Sequence, residues 1–381
     1  MPVEPRRPLN RRPRPVHGGV SDGELRGLGL DPARIIDFSV NTNPLGPSPR
    51  VRDAILAADV ARYPDAAASS LRSTLAQRLN IPPQSVLVGN GSTEILWLAA
   101  QAYLGPGDSA VVAGPTFGEY QHAAAVAGAS VCEVRASAGA GFVLNPGELD
   151  RAVNQTRARM VFICTPNNPT GVVTPGAALS DLAARHPDTL LVVDEAYLPF
   201  AGGNPAGLEG SVLTAGLPPN LLVLRSLTKD CAIPGLRLGF AVAAAPVVAA
   251  IAALQPTWSV NALAQAAGLA ALHDTEHWCR SVAALAEAKA YLAAALAGLR
   301  LTVHPTAANF LLVRAAAGVN GFVSGRELRL ALLHERCCVR DCASFGLPEY
   351  VRIGLRTLPE CRQLVAALDR VLQAQRQREV V

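Results

Sequence analysis

The sequence predicts an α/β fold: a large unit with a mostly parallel sheet flanked by helices, then a smaller α+β unit. Three observations predict it. Short apolar runs alternate with helical patterns from about residue 85, as βαβ units around a largely parallel sheet do. Near Gln255-Pro256 the pattern changes to long Ala-rich helices that run to about residue 300. Short strand-like runs then return, mixed with helices. With 381 residues, half of them hydrophobic and 17% charged, the chain has ample core for this arrangement.

The elements follow in chain order. Residues 1–48 are expected to form a tail and an arm, and "RRPLNRRPRP" at 6–15, rich in Arg and Pro and without the apolar run of a secretory signal, reads as a disordered tail. The large unit is expected over 49–255. In it "SVLVG" precedes the helical "STEILWLAAQAYL", "SAVVAG" precedes "FGEYQHAAAVAG", and "MVFICTP" precedes "PGAALSDLAARH". "LLVVDEAY", "NLLVLRS" and "LRLGFAVA" then follow as strands in close succession. The smaller unit is expected over 256–381, from the Ala-rich helices through "NFLLVR", "RELRLALLHERC", "CVRDC" and "YVRIGLR" to a final helix.

Charge and cysteine usage exclude several classes. The net charge is +4, and much of the positive charge lies in the opening segment, which argues against a basic nucleic-acid face. The apolar stretch "FAVAAAPVVAAIAAL" at 240–254 is too short and too Pro-interrupted to span a bilayer. Eight cysteines fall without CxxC pairs, and Cys337, Cys338 and Cys342 lack zinc-ligand spacing. The expectation is a cytoplasmic protein with buried thiols, no metal, and neither nucleic acid nor membrane as partner.

Only two lysines, Lys229 and Lys289, stand against 32 arginines. Arginine supplies surface charge but cannot lose its proton near neutral pH, so it cannot serve as an amine nucleophile. A lysine kept against that bias is a candidate for Schiff-base chemistry. Lys289 lies in an amphipathic helical pattern and reads as a solvated charge, so Lys229 is the one to explain. Four signals fall at strand ends, where open α/β sheets gather ligands. "VGNGSTE" puts Gly91, Ser92 and Thr93 after a strand and at a helix start, a place for an anion. "TPNNPTG" is a tight turn leaving a strand. "VVDEAY" ends a buried strand on Asp194, a carboxylate that needs a partner there. "SLTK" presents Ser226, Thr228 and Lys229, with Arg237 eight residues on. Pyridoxal phosphate needs these four things together: an amine for its aldehyde, an acid for its ring nitrogen, donors for its phenolic oxygen and a cradle for its phosphate.

On these motifs the chain resembles the fold-type I, aspartate-aminotransferase-like enzymes that use pyridoxal phosphate, from about residue 35 to 370. The resemblance implies that Lys229 bonds the cofactor's aldehyde and that Asp194 keeps the ring nitrogen protonated. It implies that Asn168 and Tyr197 bond the phenolic oxygen, and that Phe117, in "GPTFGEY", stacks on the ring. Gly91, Ser92, Thr93, Ser226, Thr228 and Arg237 would hold the phosphate. The tyrosine of "RYPD", Tyr63, would reach the phosphate of a neighbouring subunit, which implies a homodimer. Asp230, beside Lys229, departs from the aromatic or small residues more usual there, and could alter the lysine's pKa or point away.

Within that family the finer likeness is to threonine-phosphate decarboxylases and histidinol-phosphate aminotransferases. "HGG" at 17–19, "DFSVNTNPLGPSP" at 37–49 and "QPTWSVNALAQAAGLAAL" at 255–272 look more like the decarboxylases. The expectation is therefore decarboxylation of L-threonine O-3-phosphate, with transamination of histidinol phosphate or a related amino compound as the alternative. Arg352 resembles the arginine that binds a substrate carboxylate and Arg340 the one that contacts a substrate phosphate. His17, Asn41 and Asn168 are further substrate-contact candidates, and Arg356 fits either anion recognition or an ion pair. A non-catalytic, ligand-sensing domain of this type is disfavoured, because the 34 residues before Ile35 leave no room for a helix-turn-helix module.

Overall fold

A computed structural model describes residues 14–202, 208–315 and 322–379. Among the described residues, thirteen short strands form three sheets. β1 (Ile36–Asp37) belongs to the arm. β2 (Val86–Gly89), β3 (Ser109–Gly114), β4 (Ser130–Arg135), β5 (Met160–Cys164), β6 (Leu190–Asp194), β7 (Leu221–Ser226) and β8 (Gly239–Ala243) make one seven-stranded sheet. Its order is β2-β8-β7-β6-β5-β3-β4, and β8 alone runs opposite to the other six strands. β5, β6 and β7 are buried along their whole length, which is why they read as continuous apolar runs rather than alternating ones.

The expected α/β class is what the chain adopts, with two additions. β4 was not foreseen, because "SVCEVR" is a half-exposed edge strand with a mixed pattern. The helices Pro49–Ala57 and Ser69–Leu79 precede the alternation. Helices cover both faces of the large sheet, and each face carries its own core. One core is built around Val161, Val193 and Val223, the other around Phe162, Val192 and Leu224.

The remaining strands are β9 (Thr302–Val303), β10 (Phe310–Arg314), β11 (Cys337–Cys338), β12 (Arg340–Asp341) and β13 (Tyr350–Gly354). An antiparallel sheet runs β12-β13-β10-β9, while β1 pairs in parallel with β11. By length and composition the helix Thr275–Gly298 could cross a membrane. Its Leu285, Ala288, Leu292 and Leu296 stripe instead packs into the core against the final helix, Leu358–Glu379.

Several expectations need correction. The disordered-tail expectation falls partly on residues 1–13, outside the described residues, but from Arg14 the chain lies against the body. The helix Asp22–Gly27 buries Leu25 beside Leu333 and Cys338. Lys289 is half-buried rather than solvated. Its ammonium donates to the carbonyls of Thr306 and Ala308, and burial lowers its pKa. Cys279 is exposed, while Cys164, Cys337, Cys338, Cys342 and Cys361 are buried.

Candidate active site

β2, β3, β5, β6 and β7 all point their carboxyl ends to one edge of the sheet, and a cavity of about 450 Å³ opens there. β6 ends on Asp194. The pleat turns successive side chains to opposite faces, so Asp194 meets the cavity while the next residue, Glu195, is fully buried on the far side. There Glu195 pairs with Arg225 at 2.8 Å and accepts from Ser211 Oγ and Val212 N. That buried pair was not foreseen, although both residues stand in the strand motifs.

Asp194 Oδ2 accepts from Tyr120 Oη at 2.7 Å, and Oδ1 accepts from Ala196 N at 3.0 Å. Burial raises this carboxyl, while the Tyr120 bond and the Lys229 charge act the other way. Lys229 follows β7, and burial together with the charges of Arg352 and Arg237 lowers its amine to about 8. Tyr120, the last residue of "GPTFGEY", was missed. A tyrosine three residues beyond a half-buried phenylalanine gives no local sign that it will reach a strand end 74 positions away.

The next side of the cavity is an anion cradle. The helix Ser92–Tyr103 begins behind Gly91, whose φ of +79° is a left-handed value suited to glycine. A Cβ on Gly91 would stand 2.8 Å from Arg237 Nη2, and one on Gly239 would stand 2.3 Å from Ser92 N. Both glycines therefore let an arginine and a strand close over a helix start whose N–H groups lack helical partners. Ser226 Oγ and Thr228 Oγ1 lie 2.7 Å apart beside it.

Opposite stand two buried arginines, paired across β12 and β13. Arg352 Nη1 donates to Asn168 Oδ1 at 2.5 Å, Nη2 donates to Ser39 O at 2.6 Å, and the guanidinium lies over the Phe310 ring. Arg340 Nη2 donates to Val16 O at 2.9 Å and Ser344 Oγ at 2.6 Å. Tyr197 Oη accepts from Asn41 Nδ2 at 3.3 Å, and burial raises the phenol, which stays a donor. Among the described residues, Asn41 Oδ1 and Arg352 Nε are buried without partners.

Among the expected site residues, His17, Asn41, Ser92, Thr93, Phe117, Asn168, Asp194, Tyr197, Ser226, Thr228, Lys229, Arg237, Arg340 and Arg352 all line this cavity. Gly91 lies just behind it. Tyr63 does not reach it within the chain; it is 78% exposed and stacks on Trp258 at 4.2 Å. Arg356 is an ion-pair residue, donating to Glu360 Oε1 through Nε and Nη2, because it faces the start of the last helix.

Asp230 takes the second of its two readings. Its Oδ1 turns back to accept from Cys231 N at 2.9 Å, and its charge is not among the causes that move Lys229. Burial pushes Asp230 up to about 6. The unfolded chain ionises this group in the ordinary carboxylate range and the folded chain only near the raised value. Folding therefore becomes less favourable as pH climbs between the two. Asp230→Asn is expected to stabilise the protein by about 1–2 kcal/mol at pH 7.5 and by little at pH 4. Denaturant midpoints at the two pH values check this, and equal gains at both would refute it.

Residues 33–368 match the family described as aminotransferase class I and II. The chain belongs to the class I and II aminotransferase family. Histidinol-phosphate aminotransferase of Symbiobacterium thermophilum is 40% identical over 369 residues, covering 95% of this chain and 97% of that one. The fold of histidinol-phosphate aminotransferase from Sinorhizobium meliloti, solved with pyridoxal-5'-phosphate, matches with a TM-score of 0.85 at 23% identity, over 96% and 97% of the two chains. L-threonine-O-3-phosphate decarboxylase from Porphyromonas gingivalis matches with a TM-score of 0.73 at 27% identity, over 88% and 99%.

As a member of this family the chain is a pyridoxal-phosphate enzyme. The cavity suits that group: an amine, a buried acid, unpaired polar atoms and a glycine-lined anion cradle converge on it. Of the two finer activities expected from sequence, the transaminating alternative has the stronger backing, because it is the name carried by the 40% identical relative.

Proposed function

We propose that this aminotransferase moves an amino group between histidinol phosphate, or a similar small phosphorylated amine, and a dicarboxylic partner such as 2-oxoglutarate. The observation that carries the reading is the pair of buried arginines on adjacent strands facing Lys229 across one cavity. A guanidinium binds phosphate or carboxylate through two parallel bonds. Arg340 and Arg352 thus supply two anion sites, enough for a phosphate in one half-reaction and two carboxylates in the other.

The cofactor would be bonded by Lys229 and cradled by Ser92, Thr93, Ser226, Thr228 and Arg237. Asp194, Asn168, Tyr197 and Phe117 would fix its ring. When bound, it accepts the electron pair left at the substrate carbon that loses a proton. Lys229, lowered to about 8, has a neutral fraction at neutral pH and takes or returns that proton. Arg352 is tied to Asn168 and Ser39 O, so an anion bound to it would lie beside Asn168. A homodimer belongs to the same proposal: Tyr63 and Trp258 form an exposed aromatic pair of the kind that interfaces cover. So does a cytoplasmic location.

Decarboxylation of threonine phosphate is the second reading, favoured by the match of the two arginines to its carboxylate and phosphate. The purified holoenzyme, given histidinol phosphate with 2-oxoglutarate and then threonine phosphate alone, decides between them. Glutamate in the first supports transamination; CO₂ from the second without glutamate overturns it. Arg340→Lys keeps charge but loses the planar fork. It is expected to raise KM for the phosphorylated substrate by roughly tenfold to a hundredfold, and an unchanged KM would remove Arg340 from the site.

A further inference from the structure

The segment from Arg14 to Val20 is a strap across the mouth of the cavity, tied to both walls. From the β12 side, Arg340 Nη2 donates to the Val16 carbonyl. From the opposite side, Glu119 Oε1 lies 2.8 Å from His17 Nε2. Gly19 N donates to Ser39 Oγ at 2.8 Å. Between these ties Gly18 runs so close to the wall that a Cβ would stand 2.3 Å from Ser39 O.

Glu119 opens the helix Glu119–Ala127 and is 8% exposed, yet none of the chemistry above uses it. Its second oxygen, Oε2, accepts from Trp97 Nε1 at 2.9 Å. The His17 bond holds its carboxyl below the usual range, against the opposing effect of burial. An ionised acceptor at Nε2 requires that nitrogen to carry a proton. Nδ1 is then the ring nitrogen left for a ligand, and Phe117, with ring centres 5.4 Å apart, steadies the ring at the cavity wall. A phosphate monoester, with a second pKa of about 6, can share a proton with such a nitrogen in either direction. A hydroxyl group brings no charge to do so.

We propose that Glu119, backed by Trp97, is a positioning residue that seats His17 over the cavity, so that the strap closes on the substrate's phosphate. This rests on the reading of the substrate as a phosphorylated amine, so its test uses a probe that does not depend on which amine. O-phosphoethanolamine and ethanolamine are titrated into the holoenzyme and followed by the cofactor's absorption.

In Glu119→Gln, which keeps the side chain's shape, the preference for the phosphorylated probe is expected to fall roughly tenfold, the loss of one charge-assisted bond. His17→Ala should show the same fall, and the double variant no further fall, because the two act through one contact. A wild-type preference in Glu119→Gln would overturn the proposal, as would a double variant losing the product of both effects or a wild type that does not prefer the phosphorylated probe. Wild-type turnover of histidinol phosphate is read separately. If turnover is absent and the probe pattern holds, the substrate reading fails and the strap stands; the reverse removes the strap alone.

Discussion

Lys229→Ala is expected to give a folded protein that holds no covalently attached cofactor and has lost activity by about 10⁴-fold or more, the upper range for a positioned proton-transfer group. The fold should survive, because the local structural bond at this position is made by the main chain: Asn43 N donates to the Lys229 carbonyl at 2.8 Å. What disappears is the buried amine, lowered to about 8 by burial and by two neighbouring arginines. Lys229→Arg should be as inactive, since a guanidinium keeps its proton. The check is the visible-edge absorption of the purified protein, followed by borohydride reduction and peptide mapping. Cofactor fixed on Lys289 would overturn the assignment.

Asp194→Asn is expected to lower turnover by roughly 10²- to 10⁴-fold with little change in stability. The amide oxygen can still accept from Ala196 N, and the new NH₂ can donate to Tyr120 Oη, whose hydroxyl also accepts. The buried negative charge is lost, and with it the pairing that favours a protonated ring nitrogen. Turnover near that of the parent enzyme would sink this role. Tyr120→Phe should act in the same direction and more weakly, because it removes one bond to the carboxylate but leaves the charge.

Much of this site was legible in the residues themselves. Lys229 stands out against the arginine bias, and Asp194 ends a run too apolar to leave a carboxylate unexplained. Gly91, Ser92 and Thr93 mark a helix start behind a strand. The partners of these residues were not legible. Tyr120 reads as one more aromatic position in a helical pattern, and Glu119 as a first-turn acid. Arg356 looks as suited to an anion as Arg352 does, and only the start of the last helix, with Glu360 on it, separates them.

The sequence by itself determined the α/β class, the strand ends that converge on the cavity, and the lysine that stands among them. Those properties are written in short apolar runs, in the helical period of 3.6 residues and in side-chain chemistry, all of which act locally. Tertiary structure alone decided which side chains share a wall. His17 meets Glu119 across 102 positions, and Asn168 meets Arg352 across 184. Such pairs depend on strand order and on which elements the folded chain brings to the cavity's walls. A hydrogen bond falls off within an ångström or so, so no local pattern can specify it before the chain has closed.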